Sequence, residues 1–168
     1  VIVENPADSP NTDGLDPESC RNVDIIGVRF SLGDDCIAVK SGKIYMGRKF
    51  KRPSENIMIR QCLMENGHGA VTLGSEMAGG VVNLTVQDCT FRHTDRGLRI
   101  KTRRGRGKDA ILSNITFRNL TLDHVMTPLV ANAFYFCDPD GKTQYVQSRD
   151  LYPVDDRTPS IKKMVFEN

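Results

Sequence analysis

One pattern recurs along this chain and restricts its fold more than any other. NVDIIGVRF begins at Asn22, NIMIRQCLM at Asn56, NLTVQDCTF at Asn83 and NITFRNLTL at Asn114. Each reads asparagine, apolar, polar or small, apolar, and then two mostly polar residues. KKMVFEN, from Lys162, reads as a fifth, shortened copy. The starts are 34, 27 and 31 residues apart. Repeats of this length mark stacked units, none of which buries its own apolar face alone. A second alternating run follows in each unit, at 36–41, 69–75, 97–102 and 128–136. No stretch carries a convincing helical period. Several short strands per unit, separated by Gly, Asn and Asp turns, predict an all-β parallel β-helix rather than the longer blades of a propeller. The unit-start asparagines are expected to form an internal ladder, each amide bonding the coils above and below. The sequons at Asn83, Asn114 and Asn119 are read as structural for the same reason.

Residues 137–158 break the rhythm and are expected to be a long polar loop between coils, with Tyr145 and Tyr152 capping the edge of the barrel. The chain starts at Val1 and ends at Asn168 inside a strand-like run, so the sequence predicts part of one β-helix domain, residues 1–168, cut at both ends. No leader or membrane span is visible, which says nothing of secretion when the N-terminus is absent.

The net charge of +2 excludes nothing. Locally, Arg99, Lys101, Arg103, Arg104, Arg106 and Lys108 form a run with no acid in it. Gly105 and Gly107 predict a solvated, mobile loop for its second half. The run has no interleaved aromatics to stack bases, which argues against nucleic acid and for an anionic small molecule or polymer. The five cysteines form no CxxC pair and no zinc spacing. Cys62 and Cys89 recur at one repeat position, which predicts buried packing. SPNTDG places Ser9, Asn11 and Asp13 as a calcium loop would, but its closing Glu would fall at Cys20, so no metal site is expected.

Asp34 and Asp35, in SLGDDCIAVKSG, are the chemically loaded pair. Adjacent acids push each other's pKa values apart, leaving one as donor and one as base. Coils of a β-helix lie roughly 4.8 Å apart, so residues one repeat apart meet on the surface. Asp13 precedes the pair by about one coil, and His68, Arg99 with Lys101, and Tyr135 follow in successive coils. These residues are expected to form one stripe. Arg99 and Lys101 flank Ile100 and share a face, where two cations call for an anion. For both acids to reach one site the chain must bend, and Gly33 permits it. The glycines flanking His68 would admit a substrate close to the backbone.

NTDG, GDDCIAVKSG, GHG and RIK, in this order and spacing, resemble the polygalacturonases of glycoside hydrolase family 28, over about Asn11 to Phe136. The resemblance implies a right-handed parallel β-helix that hydrolyses α-1,4-linked galacturonate in pectin with inversion. It implies that Asp34 is the general acid, that Asp13 and Asp35 position and deprotonate water, and that His68 keeps the acid in its working protonation state. Arg99 and Lys101 would bind the galacturonate carboxylate, with Tyr135 near the cleavage point. It further implies a polysaccharide partner, no cofactor, no nucleic-acid or membrane partner, a monomer, and an extracellular or periplasmic setting. In fungal members a cysteine shortly before GHG bridges to the one after DD; here Cys62 is displaced, which argues against a Cys36–Cys62 bridge. The 137–158 insertion and GSEMAGG are more similar to bacterial members. A hydrolase of rhamnogalacturonan or decorated galacturonan, and a non-catalytic β-helical binding or adhesion protein, are the alternatives.

Overall fold

A computed structural model describes the backbone of residues 1–168 and every side chain but that of Arg48. After a short β1 (Ile2–Glu4), the chain winds through four coils of three strands each. The first coil holds β2 (Arg21–Ile26), β3 (Arg29–Ser31) and β4 (Ile37–Val39). A short helix, α1 (Ile44–Phe50), leads to the second coil of β5 (Ser54–Arg60), β6 (Leu63–Glu65) and β7 (Val71–Leu73). The third holds β8 (Val81–Gln87), β9 (Thr90–Arg92) and β10 (Arg96–Lys101), and the fourth β11 (Ile111–Arg118), β12 (Thr121–Asp123) and β13 (Thr127–Asn132). A 3-10 turn (Pro139–Lys142), α2 (Gln144–Gln147) and β14 (Ser160–Glu167) follow. All strand pairings are parallel and make three sheets, β1-β3-β6-β9-β12, β13-β10-β7-β4 and β14-β11-β8-β5-β2. This is the parallel β-helix that the repeat predicts.

The register preserves the repeat. Val23 pairs with Ile57, Ile57 with Leu84, Leu84 with Ile115 and Ile115 with Met164. Like residues therefore stack on like inside the barrel. Ile57, Ile59, Leu84, Val86, Ile115 and Phe117 come from the long strands, Phe30, Met64 and Phe91 from the short ones, and Ile37, Val71, Leu73, Leu98 and Ile100 from the third sheet. Each such side chain contributes roughly 1.5–3 kcal/mol through burial. Cys62 and Cys89 are 3% and 2% exposed, which agrees with a packing role, and no cysteine is bridged among the described residues.

The asparagine ladder exists, but on the outside. Asn56 donates to Asn22 Oδ1 at 3.0 Å, Asn83 to Asn56 at 3.1 Å and Asn114 to Asn83 at 2.9 Å, and all four are exposed. Each has a left-handed backbone, with φ from 55° to 57°. Asparagine tolerates this region better than most residues. The bend turns the amide to the solvent side while the next residue fills the core. Lys163 takes the same bend, φ 49°, in β14, where the ladder has lost its asparagine.

One other expectation is corrected. The basic run is not a solvated loop, because Arg103 and Arg106 are fully buried. Arg103 donates twice to Asp140, at 2.9 Å each, and Arg104 donates to the carbonyls of Tyr145, Ser148 and Asp150. The acids missing from the run are supplied by 137–158, which it pins down. Tyr145 and Tyr152 make an edge-to-face pair, and the Arg104 guanidinium lies 4.5 Å from the Tyr152 ring. Helix α1, finally, is too short for a 3.6-residue period to register in the sequence.

Candidate active site

The third sheet and the loops leading into it position the site. Leu15 bridges to Ile37 and Glu18 to Lys40, so the segment after Asp13 continues the sheet one coil beyond β4. Gly14 N–H donates to Asp35 C=O at 3.0 Å, and His68 N–H to Asp34 C=O at 3.0 Å. These backbone bonds place Asp13, the acid pair and His68 in three successive layers. Carboxylate oxygens of Asp13, Asp34 and Asp35 all lie within 4.8 Å of one another.

Gly33 allows this by close packing. A Cβ there would meet Ser9 C=O at 2.2 Å. Gly69 also makes room for the acids: a Cβ there would lie 2.8 Å from Asp35 Oδ1. Asp34 turns its carboxylate to a cleft of about 540 Å³ lined by Asp13, His68, Arg99, Lys101 and Tyr135. Its Oδ1 accepts Asp35 N–H at 2.9 Å and lies 3.4 Å from His68 Nδ1. Asp35 lies beneath, with no exposed surface. Arg99 Nη1 donates to its Oδ1 at 3.1 Å and Lys101 Nζ to its Oδ2 at 2.7 Å. Lys101 Nζ also lies 5.4 Å from the centre of the Tyr135 ring, a cation–π distance.

All seven residues named from sequence therefore meet, but not as one stripe along the sheet. Arg99 pairs with Thr72, not with His68, and Lys101 pairs with Asn132. The cluster runs diagonally, because the true coil offset between β7 and β10 is 27 residues and not 31. Five further cleft residues went unnoticed: Asn11, Asp16, Lys40, Ser75 and Glu76. Lys40 was findable. It follows the inward Val39 and so faces outward, where it donates to Asp16 at 2.6 Å and Asp13 at 3.4 Å. Ser75 and Glu76 lie beyond the end of β7, where no period signals their direction.

Environment separates the acids. Burial, with Asp16, Asp34 and Asp35 nearby, raises Asp13 to about 6 against the opposing charge of Lys40. Burial acts to raise Asp35 as well, but Lys101 and Arg99 outweigh it and hold the carboxyl below its usual range. Burial disfavours the Lys40 ammonium, yet Asp16, Glu76 and Asp13 keep its pKa above the ordinary lysine value. Burial also pushes the Cys36 thiol up to about 12, leaving it an inert packing residue. The arrangement offers one carboxyl that titrates near 6, one locked as the anion and two cations at the cleft wall.

The profile of the family described as "Glycosyl hydrolases family 28" matches residues 1–152. A probable polygalacturonase of Vitis vinifera is 38% identical over 131 residues, covering 76% of this chain and 27% of that protein. An endo-polygalacturonase of Pectobacterium carotovorum subsp. carotovorum is 35% identical over 135 residues, covering 80% and 31%. Among solved structures, a hyperthermoactive exopolygalacturonase from Thermotoga maritima superposes with a TM-score of 0.58 at 36% identity, over 68% of this chain and 28% of that one. The polygalacturonase of Erwinia carotovora ssp. carotovora gives 0.63 at 27% identity, over 82% and 36%. The chain thus spans about a third of the length of the relatives it matches. With a matching profile over nearly the whole sequence, the chain belongs to family 28 of the glycosyl hydrolases.

Proposed function

We propose that the protein hydrolyses α-1,4-galacturonosyl linkages in polygalacturonate, outside the cell or in the periplasm. The observation that carries this is the meeting of three carboxyls within 4.8 Å beside the Arg99–Lys101 pair. Glycoside hydrolysis needs one protonated and one ionised carboxyl at the scissile bond. In our reading Asp34, exposed to the cleft and backed by His68, protonates the leaving oxygen. Asp13, raised to about 6, takes a proton from the attacking water, which suits a base near its working pH. Asp35 has no exposed surface from which to reach an anomeric carbon, so it acts on water through the cluster and on the sugar through Arg99 and Lys101.

Arg99 engages Asp35 through Nη1 alone, and its other N–H groups have no partner among the described residues. They suit a galacturonate carboxylate, which a planar guanidinium fork binds well. A neutral sugar would leave those donors unpaired, so the cleft favours a uronate at the cleavage point. We propose inversion, with water displacing the sugar directly. The carboxyls lie closer than the ~6.5–9.5 Å usual for inverting enzymes, so product stereochemistry is the decisive check. Reducing-sugar release from polygalacturonate by the full-length protein tests the activity, and proton NMR of the first anomer tests inversion. No release would leave a binding protein; a retained α-anomer would sink the inverting step.

A further inference from the structure

Strands β9 and β12 end on matched positions. Arg92 pairs with Asp123 in the parallel register, so His93 and His124, 31 residues apart in the chain, lie one coil apart on the outside of the barrel. Both have a left-handed backbone, φ 54°, and Asn66 holds the same position in the second coil with φ 65°. This is the bend that turns the asparagine ladder outward, and here it projects two imidazoles into solvent. Their ring centroids are 5.0 Å apart and the planes stack at 28°. The His124 side chain is 75% exposed. His93 is exposed as well, and its ring makes no hydrogen bond among the described residues.

Packing does not account for the pair. Neither ring fills the core, and two imidazoles at this distance repel once both are protonated. Asp123 points to another use. Its Oδ1 lies 2.5 Å from His124 Nδ1, and its Oδ2 accepts from Arg92 Nε at 3.0 Å. A carboxylate only accepts, so the neutral His124 ring carries its proton on Nδ1 and keeps a free lone pair on Nε2. A carboxylate behind the other ring nitrogen is the arrangement that orients metal-binding histidines. Arg92 also reaches Glu65 at 3.5 Å, so the acid behind His124 is itself held in place.

We propose that His93 and His124 together bind a late first-row divalent metal ion, nickel(II), copper(II) or zinc(II), through one imidazole nitrogen each. Imidazole suits these ions, whereas calcium and magnesium take oxygen ligands. Metal–nitrogen bonds of about 2.0–2.1 Å bring the two donor atoms within roughly 3–4 Å of each other. Two exposed rings reach that spacing by side-chain rotation alone, and water fills the remaining positions. The ion bridges the third and fourth coils on the sheet of β9 and β12, not on the sheet that carries the cleft. It fastens the barrel and takes no part in the cluster of Asp13, Asp34 and Asp35.

The test titrates the full-length protein with nickel chloride, read by calorimetry and by the urea midpoint, and compares it with His93→Asn and His124→Asn. Asparagine already stands at this position in the second coil, as Asn66, so both variants are expected to fold with the circular dichroism of the parent. The two imidazoles act as a chelate. Loss of either is expected to weaken nickel binding about tenfold or more, and to abolish the rise in urea midpoint that nickel gives the parent. Asp123→Asn, which keeps the shape but not the charge behind His124, is expected to weaken binding about tenfold. With copper(II) bound, electron paramagnetic resonance is expected to show two nitrogen ligands in the parent and one in each histidine variant. Nickel affinity equal to that of the parent in both histidine variants overturns the site. A loss confined to one of them leaves a single-histidine contact and overturns the pair.

Discussion

Asp35 and Lys101 stand 66 positions apart in the chain, yet the Lys101 ammonium donates to Asp35 Oδ2 at 2.7 Å. With Arg99 on the other oxygen, the buried carboxylate is neutralised from two sides. Removing one partner from a buried pair strands the other, at a cost of about 3–5 kcal/mol. Lys101→Met is therefore expected to lower stability by about 3 kcal/mol, since Arg99 remains. The pH dependence has a definite sign. Asp35 is held below its usual range, so the stability it contributes is complete above the unfolded carboxylate value of about 4 and is lost as the pH falls below that. In Lys101→Met the folded value rises towards the unfolded one, so the loss on acidification is smaller and is complete at a higher pH. Thermal melts from pH 3 to 7 check both statements.

Asp13 titrates in the opposite sense. Its folded pKa of about 6 exceeds the unfolded value of 3.8, so its ionised form costs stability above pH 6, and the cost is relieved as the pH drops from 6 towards 4. Asp13→Asn should melt higher than the parent at pH 7, with the difference closing through that window. The same residue should set the acid limb of kcat/KM near pH 6 if it is the base. Lys40→Met removes the cation that lowers Asp13 and should move that limb upward. A limb that stays in place in Lys40→Met would show that another group takes the water proton.

Asp34→Asn keeps the carbonyl oxygen that accepts Asp35 N–H but removes the transferable proton. Loss of a general acid costs about 10²–10⁴ in rate. The variant should fold as the parent does and lose at least a hundredfold in kcat on polygalacturonate. Activity close to that of the parent would move the acid role elsewhere in the cluster.

Much of this was legible before any coordinates. The Asn22, Asn56, Asn83 and Asn114 spacing carries the stacking register, because each coil must place its apolar residues over those of the last. Asp13, Asp34, His68, Arg99 and Lys101 followed from one-coil neighbourhood. Three things were hidden. Repeat lengths alone do not show which position within a coil faces which, so the Arg99–Thr72 register went unseen. Charge runs do not show their partners either: Arg103 reads as a solvated cation until Asp140, 37 residues later, closes on it. The side on which the asparagine ladder lies depended on backbone sign, which composition suggests only through the tolerance of Asn for the left-handed region.

Asn83 occupies the centre of that ladder. It donates to Asn56 and accepts from Asn114, with φ at 56°. Asn83→Ala loses both bonds and forces a Cβ-bearing residue with no compensating amide into the left-handed region. Hydrogen bonds of this kind are worth roughly 1 kcal/mol each and the backbone strain about 1–3 kcal/mol. The expected loss is about 3–5 kcal/mol by urea denaturation. Asn83→Gly, which tolerates the bend, should lose less and so separate the bonds from the strain. Equal losses in the two variants would leave the strain argument without support.

Arg104 clamps the 137–158 segment by a mechanism that can be tested apart from catalysis. Its Nη1 donates to the carbonyls of Tyr145 and Ser148 and its Nη2 to that of Asp150, all at 2.9 Å. Three carbonyls on one guanidinium hold a stretch whose ordered elements are only a four-residue 3-10 turn and the four-residue α2. Charge-assisted bonds are worth about 1.5–3 kcal/mol each when shielded, and less where exposed, as the third is. Arg104→Ala should therefore release the segment locally without melting the barrel, whose core lies elsewhere. Limited proteolysis should cut between residues 143 and 152 at least tenfold faster than in the parent, while the thermal midpoint of the β signal moves little. Arg104→Lys, which cannot span three acceptors in one plane, should fall between the two. Cleavage at the parental rate in Arg104→Ala would mean that Arg103 and Asp140 alone hold the segment in place.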